Sequence, residues 1–376
     1  MDITFQEEFQ KSWLTSLIGI LALCSGLYLL TWNEGRAVHH HHSLEETYNS
    51  AISLNLFNKL EPEYDGHVVH ISSDLKVDEP LGELEYGISI QAVKLKRRVQ
   101  MYQWVEETSP RDDVVEQQSY KDYYYITEWR DKLVDSDNFY IRFGHENPKE
   151  IPLKTVTYVA PLVRLGPFYL SDSLKDKFTE FETLTSDERP GRSDIKLHMG
   201  IYYHCHDVFN PEVGDIRVQF SYAGPTDEPV TIVARQEKGT LVPYITSKGK
   251  EIALVRYGKL DLNQIFSAEH WDFKLETWKL RLYGAFCIYF AVICWARLLK
   301  IILCNCVPTF SNIISGEAID GMNFLVAGSI ALFVIALAWV AHRPLLGMSL
   351  IFASFSPFFY CLMGVYGGAP NDLMRN

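Results

Sequence analysis

Residues 282 to 366 place three apolar runs within 85 residues, and this constrains the chain more than any other feature. Leu282 to Leu303 is interrupted by charge only near its end, at Arg297 and Lys300. Asn323 to Ala341 carries no charge at all. His342-Arg343-Pro344 leaves room only for a reversal, and Leu345 to Tyr366 runs back. Each run approaches the ~20 apolar residues needed to cross a bilayer core. Proline breaks a continuous helix, so Pro344 favours a hairpin of two spans over one long helix. A soluble helix of such length would carry a polar face, and the second and third runs have none.

A fourth apolar run, Trp13 to Trp32, lies near the N-terminus. Residues 1–11 are acidic (Asp2, Glu7 and Glu8 against Lys11) and lack the basic start of a secretory signal, and the apolar run continues past Ala22-Leu23-Cys24, so an uncleaved anchor is expected. Four spans put both termini on one side of the membrane and the 249 residues of 33–281 on the other. Flanking charge orients this arrangement only weakly. Lys11, Arg297, Lys300 and Arg375 favour cytoplasmic termini, while Lys274, Lys279, Arg281 and Arg343 oppose them. The expected order is a cytoplasmic tail (1–12), a span (13–32), a luminal or perinuclear domain (33–281) and a second span (282–303). A cytoplasmic loop (304–322), spans at 323–341 and 345–366, and a cytoplasmic tail (367–376) complete it.

The segment 33–281 holds 30 Lys+Arg against 41 Asp+Glu, nearly all of the chain's net charge of −12. Phosphate binding concentrates positive charge, so this domain is not expected to bind nucleic acid. Six of the seven cysteines (24, 287, 294, 304, 306 and 361) lie in or beside spans, which leaves Cys205 without an internal disulfide partner in the polar domain. Cys304 and Cys306 read either as palmitoylation sites or as small apolar residues at a helix end.

The polar domain reads as an α+β, strand-rich fold. Gly66 to Ser73, Ile88 to Val105, Tyr120 to Trp129, Thr155 to Val159, Ile195 to Cys205, Asp215 to Tyr222, Val230 to Gln236 and Gly239 to Thr246 carry strand patterns. A phase change between Ile90 and Val93 suggests a bulge, and Glu106 to Gln118 an exposed hairpin loop. One helix is expected with Ser173 as its cap and Leu174, Phe178, Phe181 and Leu184 on one face. His39 to His42 reads as a solvated linker, followed by a capping box from Ser43 to Glu46. Trp271, Leu275, Trp278 and Leu282 fall at helical spacing, so that helix lies along the membrane or runs into the next span.

Motifs of chemistry are sparse. His204-Cys205-His206-Asp207 offers two histidines on one strand face, which is too few for a closed metal site. No Gly-x-Ser-x-Gly, His-Glu-x-x-His, Gly-x-Gly-x-x-Gly or Walker sequence is present. Lys94-Leu95-Lys96-Arg97-Arg98 would divide its charges between two strand faces, by default solvated. No catalytic, cofactor-binding or metal-binding residue is therefore expected. The spans at 13–32, 323–341 and 345–366 lack the ionisable residues of a transport path, and Gly328, Ser329 and Ala331 suit packing of helix on helix.

Asn33-Glu34-Gly35-Arg36-Ala37-Val38, directly after the first span, resembles the signature of the LUMA (transmembrane protein 43) family. Gly66 to Ile71, Gly87 to Arg98, Met101 to Glu106, Thr127-Glu128-Trp129 and the three-span C-terminus extend the similarity over most of the chain. The tetra-histidine run departs from it. The resemblance implies a multi-pass, self-associating protein of the endoplasmic reticulum and inner nuclear membrane. It implies a scaffold for nuclear-envelope proteins of the emerin and lamin type, with no catalytic residues to carry over. The alternative is a lipid-handling or channel-associated component acting through the luminal β-domain.

Overall fold

The computed structural model describes residues 5–54, 62–111, 120–185, 190, 192, 194–226, 228–306, 319–340 and 343–367. The tip of the expected hairpin loop, most of the 304–322 loop and the tail beyond Gly367 lie outside these residues, as do the side chains of Cys304, Cys306 and Cys361. The chain forms two compact units. One comprises Met1–Glu46 with Phe266–Asn376, and the other Thr47–Ile265.

The first unit is helical. Helix α1 spans Phe5–Ser50, and its 46 residues correspond to about 70 Å at 1.5 Å per residue. A bilayer core accounts for less than half of that length. The expectation of a linker at His39–His42 and a helix start at Ser43 is therefore corrected: both lie inside one continuous helix, and His40 and Ser43 are buried. No proline interrupts 33–50, and burial of Asn33, Glu34, Val38 and His40 favours an ordered helix over a solvated chain.

The polar unit begins with β1 (Ala51–Ser53), β2 (Val68–Val77), β3 (Leu81–Glu83) and β4 (Ile88–Ile90). The long β5 (Ala92–Arg111) and β6 (Tyr120–Arg130) follow, then β7 (Val156–Val159), β8 (Val163–Leu165) and β9 (Phe168–Leu170). The single turn α2 (Asp172–Lys175) precedes β10 (Glu182–Thr183), β11 (Lys196–His198), β12 (Ile201–His204) and β13 (Ile216–Pro225). The unit closes with β14 (Pro229–Glu237), β15 (Thr240–Val242), β16 (Tyr244–Ile245), β17 (Glu251–Ile252) and β18 (Leu254–Tyr257).

Strands β2, β8, β9, β15 and β14 pair in succession, and β14 pairs again with β2, so this sheet closes into a small ring. Val69, Ile71, Leu165, Phe168, Ile232 and Leu241 belong to its buried apolar cluster. A second sheet runs β11-β12-β13-β5-β6, with β10 on β13 and β7 on β5. Its cluster includes Tyr86, Leu95, Val99, Met101, Tyr202, Val218 and Phe220. Strand β5 contributes to both clusters from one face, since Val93 belongs to the first and Leu95, two residues on, to the second.

Several local expectations change. The phase shift at Ile90–Val93 marks a strand break, because β4 pairs with β3 while β5 joins the second sheet. Strand pairing continues to Arg111 opposite Tyr120, so the hairpin loop starts later than Glu106. Ile195 to Cys205 folds as a hairpin with Met199 (φ 50°) and Gly200 (φ 75°) at its turn. Lys238 (φ 48°) and Gly239 (φ 81°) do the same between β14 and β15. Two-residue turns with both φ values positive match the right-handed twist of the flanking strands. The helix expected to begin at Ser173 is one turn with Ser171 at its N-cap position and no side-chain capping bond, with Leu174 and Phe178 buried and Phe181 exposed. Phe178 packs instead beside Val93 at Gly224 (φ 70°), where an added Cβ would lie 2.9 Å from Phe178 and 2.6 Å from Val93.

Helix α3 (Leu262–Cys306) runs without a break through Trp271–Leu282 into the apolar segment, resolving the two alternatives in favour of a continuous helix. Helices α4 (Ile319–Val340) and α5 (Pro344–Gly367) follow. By length and composition, α1, α3 and α4 can each cross a membrane, and α5 contributes a shorter apolar stretch, Pro344–Phe359. Helices α1 and α3 pack antiparallel with glycines at their closest approach. A Cβ on Gly26 would lie 2.9 Å from the Gly284 carbonyl oxygen, and one on Gly284 would lie 2.7 Å from Leu30. Leu30, Ile288, Val292, Ala327 and Ala331 form the shared core of α1, α3 and α4.

Candidate functional site

The helical unit concentrates polar side chains where the apolar run of α1 ends. Glu34 is fully buried, two residues past Trp32. Arg281 on α3 donates to both of its carboxylate oxygens, Nε to Oε1 at 2.6 Å and Nη2 to Oε2 at 2.8 Å. Trp339 on α4 donates its indole N–H to Oε2 at 2.8 Å. One carboxylate therefore ties three helices together through a bidentate, charge-assisted clamp. The next layers continue the α1–α3 pairing. Asn33 Nδ2 donates to the Thr277 carbonyl at 3.1 Å, and the Arg36 guanidinium lies 4.8 Å from the Phe273 ring centre. His40 stacks on Phe273 at 3.7 Å, and His41 lies 5.7 Å from His270.

Beside this clamp is a cavity of about 220 Å³. Its walls are Ala37, His40 and His41 of α1; His270, Phe273, Lys274, Thr277, Trp278 and Arg281 of α3; Trp339 of α4; and Arg343. The set is cationic and aromatic and contains no carboxylate. Such walls suit an anion. The sequence reading missed this site. Its available signals were a lone acid directly after an uncharged span and an arginine directly before the next one.

The expected metal candidates are not brought together. Tyr86 and His204 share a hydrogen bond, hydroxyl to Nε2 at 3.0 Å. Burial lowers the His204 pKa below its usual range and pushes the Tyr86 hydroxyl up to about 12. The backbone carbonyl of His206 accepts from Lys196, and burial raises the Cys205 thiol. Among the described residues no group of three or more His, Cys, Asp or Glu side chains is placed to hold a metal ion.

The basic run on β5 divides between two faces as expected, but only Arg98 is exposed, while Lys94 is buried and Lys96 and Arg97 are half-buried. Arg97 donates to both oxygens of Glu83 at 2.9 and 2.8 Å, with both side chains largely buried. Arg98 makes a bidentate contact with Asp131 at 2.9 and 2.7 Å. Lys94 is buried and donates to the Asp176 carbonyl, while the Lys96 ammonium lies 5.5 Å from the Phe181 ring centre. Strand alternation sends these cations to both faces, where each meets an acceptor or an aromatic ring.

The polar unit presents a second surface. The β5–β6 ribbon continues past the end of β13, whose last pairing on that side is Ile216 with Met101. A loop at 139–145 is held against it. The Tyr140 N–H donates to Glu106 at 2.6 Å, the Ile141 N–H donates to the Tyr125 hydroxyl at 2.7 Å, and Tyr140 stacks on Tyr123 at 4.6 Å. Tyr140 and Phe143 are nonetheless 73% and 91% exposed.

Comparison with known proteins agrees with this architecture. Residues 101–344 match the family model described as Transmembrane protein 43. The chain is 42% identical over 363 residues to "Transmembrane protein 43 homolog" of Drosophila melanogaster, covering 94% of this chain and 96% of that protein. It is 34% identical over 339 residues to "Transmembrane protein 43" of Homo sapiens, covering 87% and 84%. No solved structure matches it. Similarity of this extent spans the clamp on α3 and α4 as well as the ribbon, and the chain belongs to the transmembrane protein 43 family.

Proposed function

We propose that this chain is a non-enzymatic membrane scaffold of the endoplasmic reticulum and inner nuclear membrane, with its polar unit luminal or perinuclear. The observation that supports this reading is the β5–β6 ribbon, with Tyr140 and Phe143 exposed on a loop pinned to it. Exposed aromatics on a rigid support are the usual anchors of protein interfaces. Along the same ribbon, β6 is the terminal strand of its sheet among the described residues, the position at which a partner strand would add. Emerin- and lamin-type nuclear-envelope proteins are the partners that the family resemblance suggests.

Self-association is assigned to the helices. On α4, Ala327, Ser329 and Ala331 are buried within the unit, while a Cβ on Gly328 would meet nothing within 4 Å. That open glycine permits the close approach of a second helix. Lipid handling by the β-domain has less support, since buried side chains occupy the core of the ring.

Proximity labelling from the polar unit of the full chain, compared with Tyr140→Asp/Phe143→Asp, tests the scaffold reading. Loss of labelled nuclear-envelope proteins with unchanged membrane insertion is the expected result. An unchanged partner set in a folded double variant would overturn it.

A further inference from the structure

The cavity beside the Glu34–Arg281 clamp has no role in the scaffold reading, yet its charge is one-sided. Arg281 is neutralised by Glu34, whereas Lys274 and Arg343 form no ion pair with a carboxylate among the described residues. Each lies against an aromatic ring instead, Lys274 5.6 Å from the centre of Trp271 and Arg343 5.9 Å from that of Trp339. His40, His41 and His270 add imidazole donors to the same walls. Two uncompensated cations around a cavity without a carboxylate select an anion, and N–H donors in this number suit phosphate oxygens.

The surroundings indicate the source of that phosphate. Trp278, a wall residue, is also part of an exposed apolar stripe on α3 comprising Trp271, Leu275, Trp278, Leu282, Phe286 and Phe290. These residues recur at three- and four-residue spacing, so they share one side of the helix. The stripe enters the segment that is apolar enough to cross the membrane. A cationic, tryptophan-rimmed cavity adjoining an apolar track fits a molecule with a phosphate at one end and hydrocarbon at the other.

We propose that this cavity binds the phosphate headgroup of an anionic phospholipid, with Lys274 and Arg343 neutralising the phosphate and the acyl chains lying along the exposed stripe of α3. The lipid would fill space between α1, α3 and the start of α5 at the level of the clamp.

Native mass spectrometry of the full-length protein in detergent tests this, with dioctanoyl phosphatidylglycerol, dioctanoyl phosphatidylcholine and inorganic phosphate as probes. One phosphatidylglycerol should be retained per chain in preference to phosphatidylcholine, and equimolar inorganic phosphate should not displace it. Lys274→Glu/Arg343→Glu, at two exposed positions, should weaken retention by roughly tenfold or more while leaving the melting temperature unchanged. Ala37→Trp fills the cavity without altering charge and should have the same effect on retention. Undiminished phosphatidylglycerol binding in both variants would overturn the site. Equal retention of phosphatidylcholine, or displacement by inorganic phosphate, would overturn the anionic lipid as its occupant.

Discussion

Glu34 combines full burial with a formal charge, and its environment shows how that is sustained. Arg281 supplies two hydrogen bonds and Trp339 a third, so the carboxylate exchanges water for three fixed donors. Glu34→Gln would leave the Arg281 guanidinium 16% exposed and without its counter-charge. The expected loss is about 3–5 kcal/mol, the cost typical of orphaning one partner of a buried pair, read as a lowered melting temperature in detergent. Glu34→Gln/Arg281→Met should recover much of that loss, because no charge then remains buried. His204 gives a pH prediction. Its folded pKa lies below its ordinary value of 6.5, so the unfolded chain takes up the proton first as pH falls. Its contribution is fully present above pH 6.5 and is lost below it, and His204→Phe should flatten the acid limb of a stability–pH curve. Metal removal should do nothing comparable. Melting curves with and without a chelator should superimpose, and a large chelator-dependent loss would establish the site that the strand geometry leaves incomplete.

Helix α1 and helix α3 pass each other at glycines for a steric reason. Gly26 and Gly284 sit where any Cβ would press on backbone oxygen or on Leu30. Gly26→Leu should therefore separate α1 from α3 and lower the melting temperature of the monomer. Gly328→Leu tests a different surface, since its side chain would enter open space. It should leave the melting temperature of the monomer unchanged and weaken crosslinked homo-oligomers. Oligomers that survive deletion of 323–366 would assign self-association to the polar unit instead. At this scale the sequence was legible where periodicity is local. The strands and the apolar runs follow from alternation and composition, whereas the β5–β6 register did not, since pairing continues from Glu106 to Arg111 where a loop was expected. The continuity of α1 through His39–His42 was not legible, because four histidines carry no period and the helix there is stabilised by packing on α3.

For the whole molecule, topology is the open quantity, and parity predicts it better than flanking charge does. With α5 as the expected fourth span beside the three helices long enough to cross, parity predicts both termini on one side and the polar unit on the other. The chain has no Asn-x-Ser/Thr sequon, so engineered sites report cleanly. A sequon inserted between Arg111 and Tyr120 should be glycosylated, and one placed after Leu373 should not. The reverse pattern would invert the orientation.

Sequence by itself determined that this is a membrane protein with a strand-rich polar unit, because hydrophobic length and alternation are properties of contiguous residues. It also carried the family, through runs such as Asn33–Val38. Tertiary structure alone decided what those residues do. Glu34, Arg281 and Trp339 are separated by 247 and 58 residues along the chain and meet only because α1, α3 and α4 pack as one unit. The same packing brings His40 and His41 together with His270, Lys274 and Arg343 around one cationic cavity. No local pattern encodes such a meeting, since it depends on which helix faces are buried against each other.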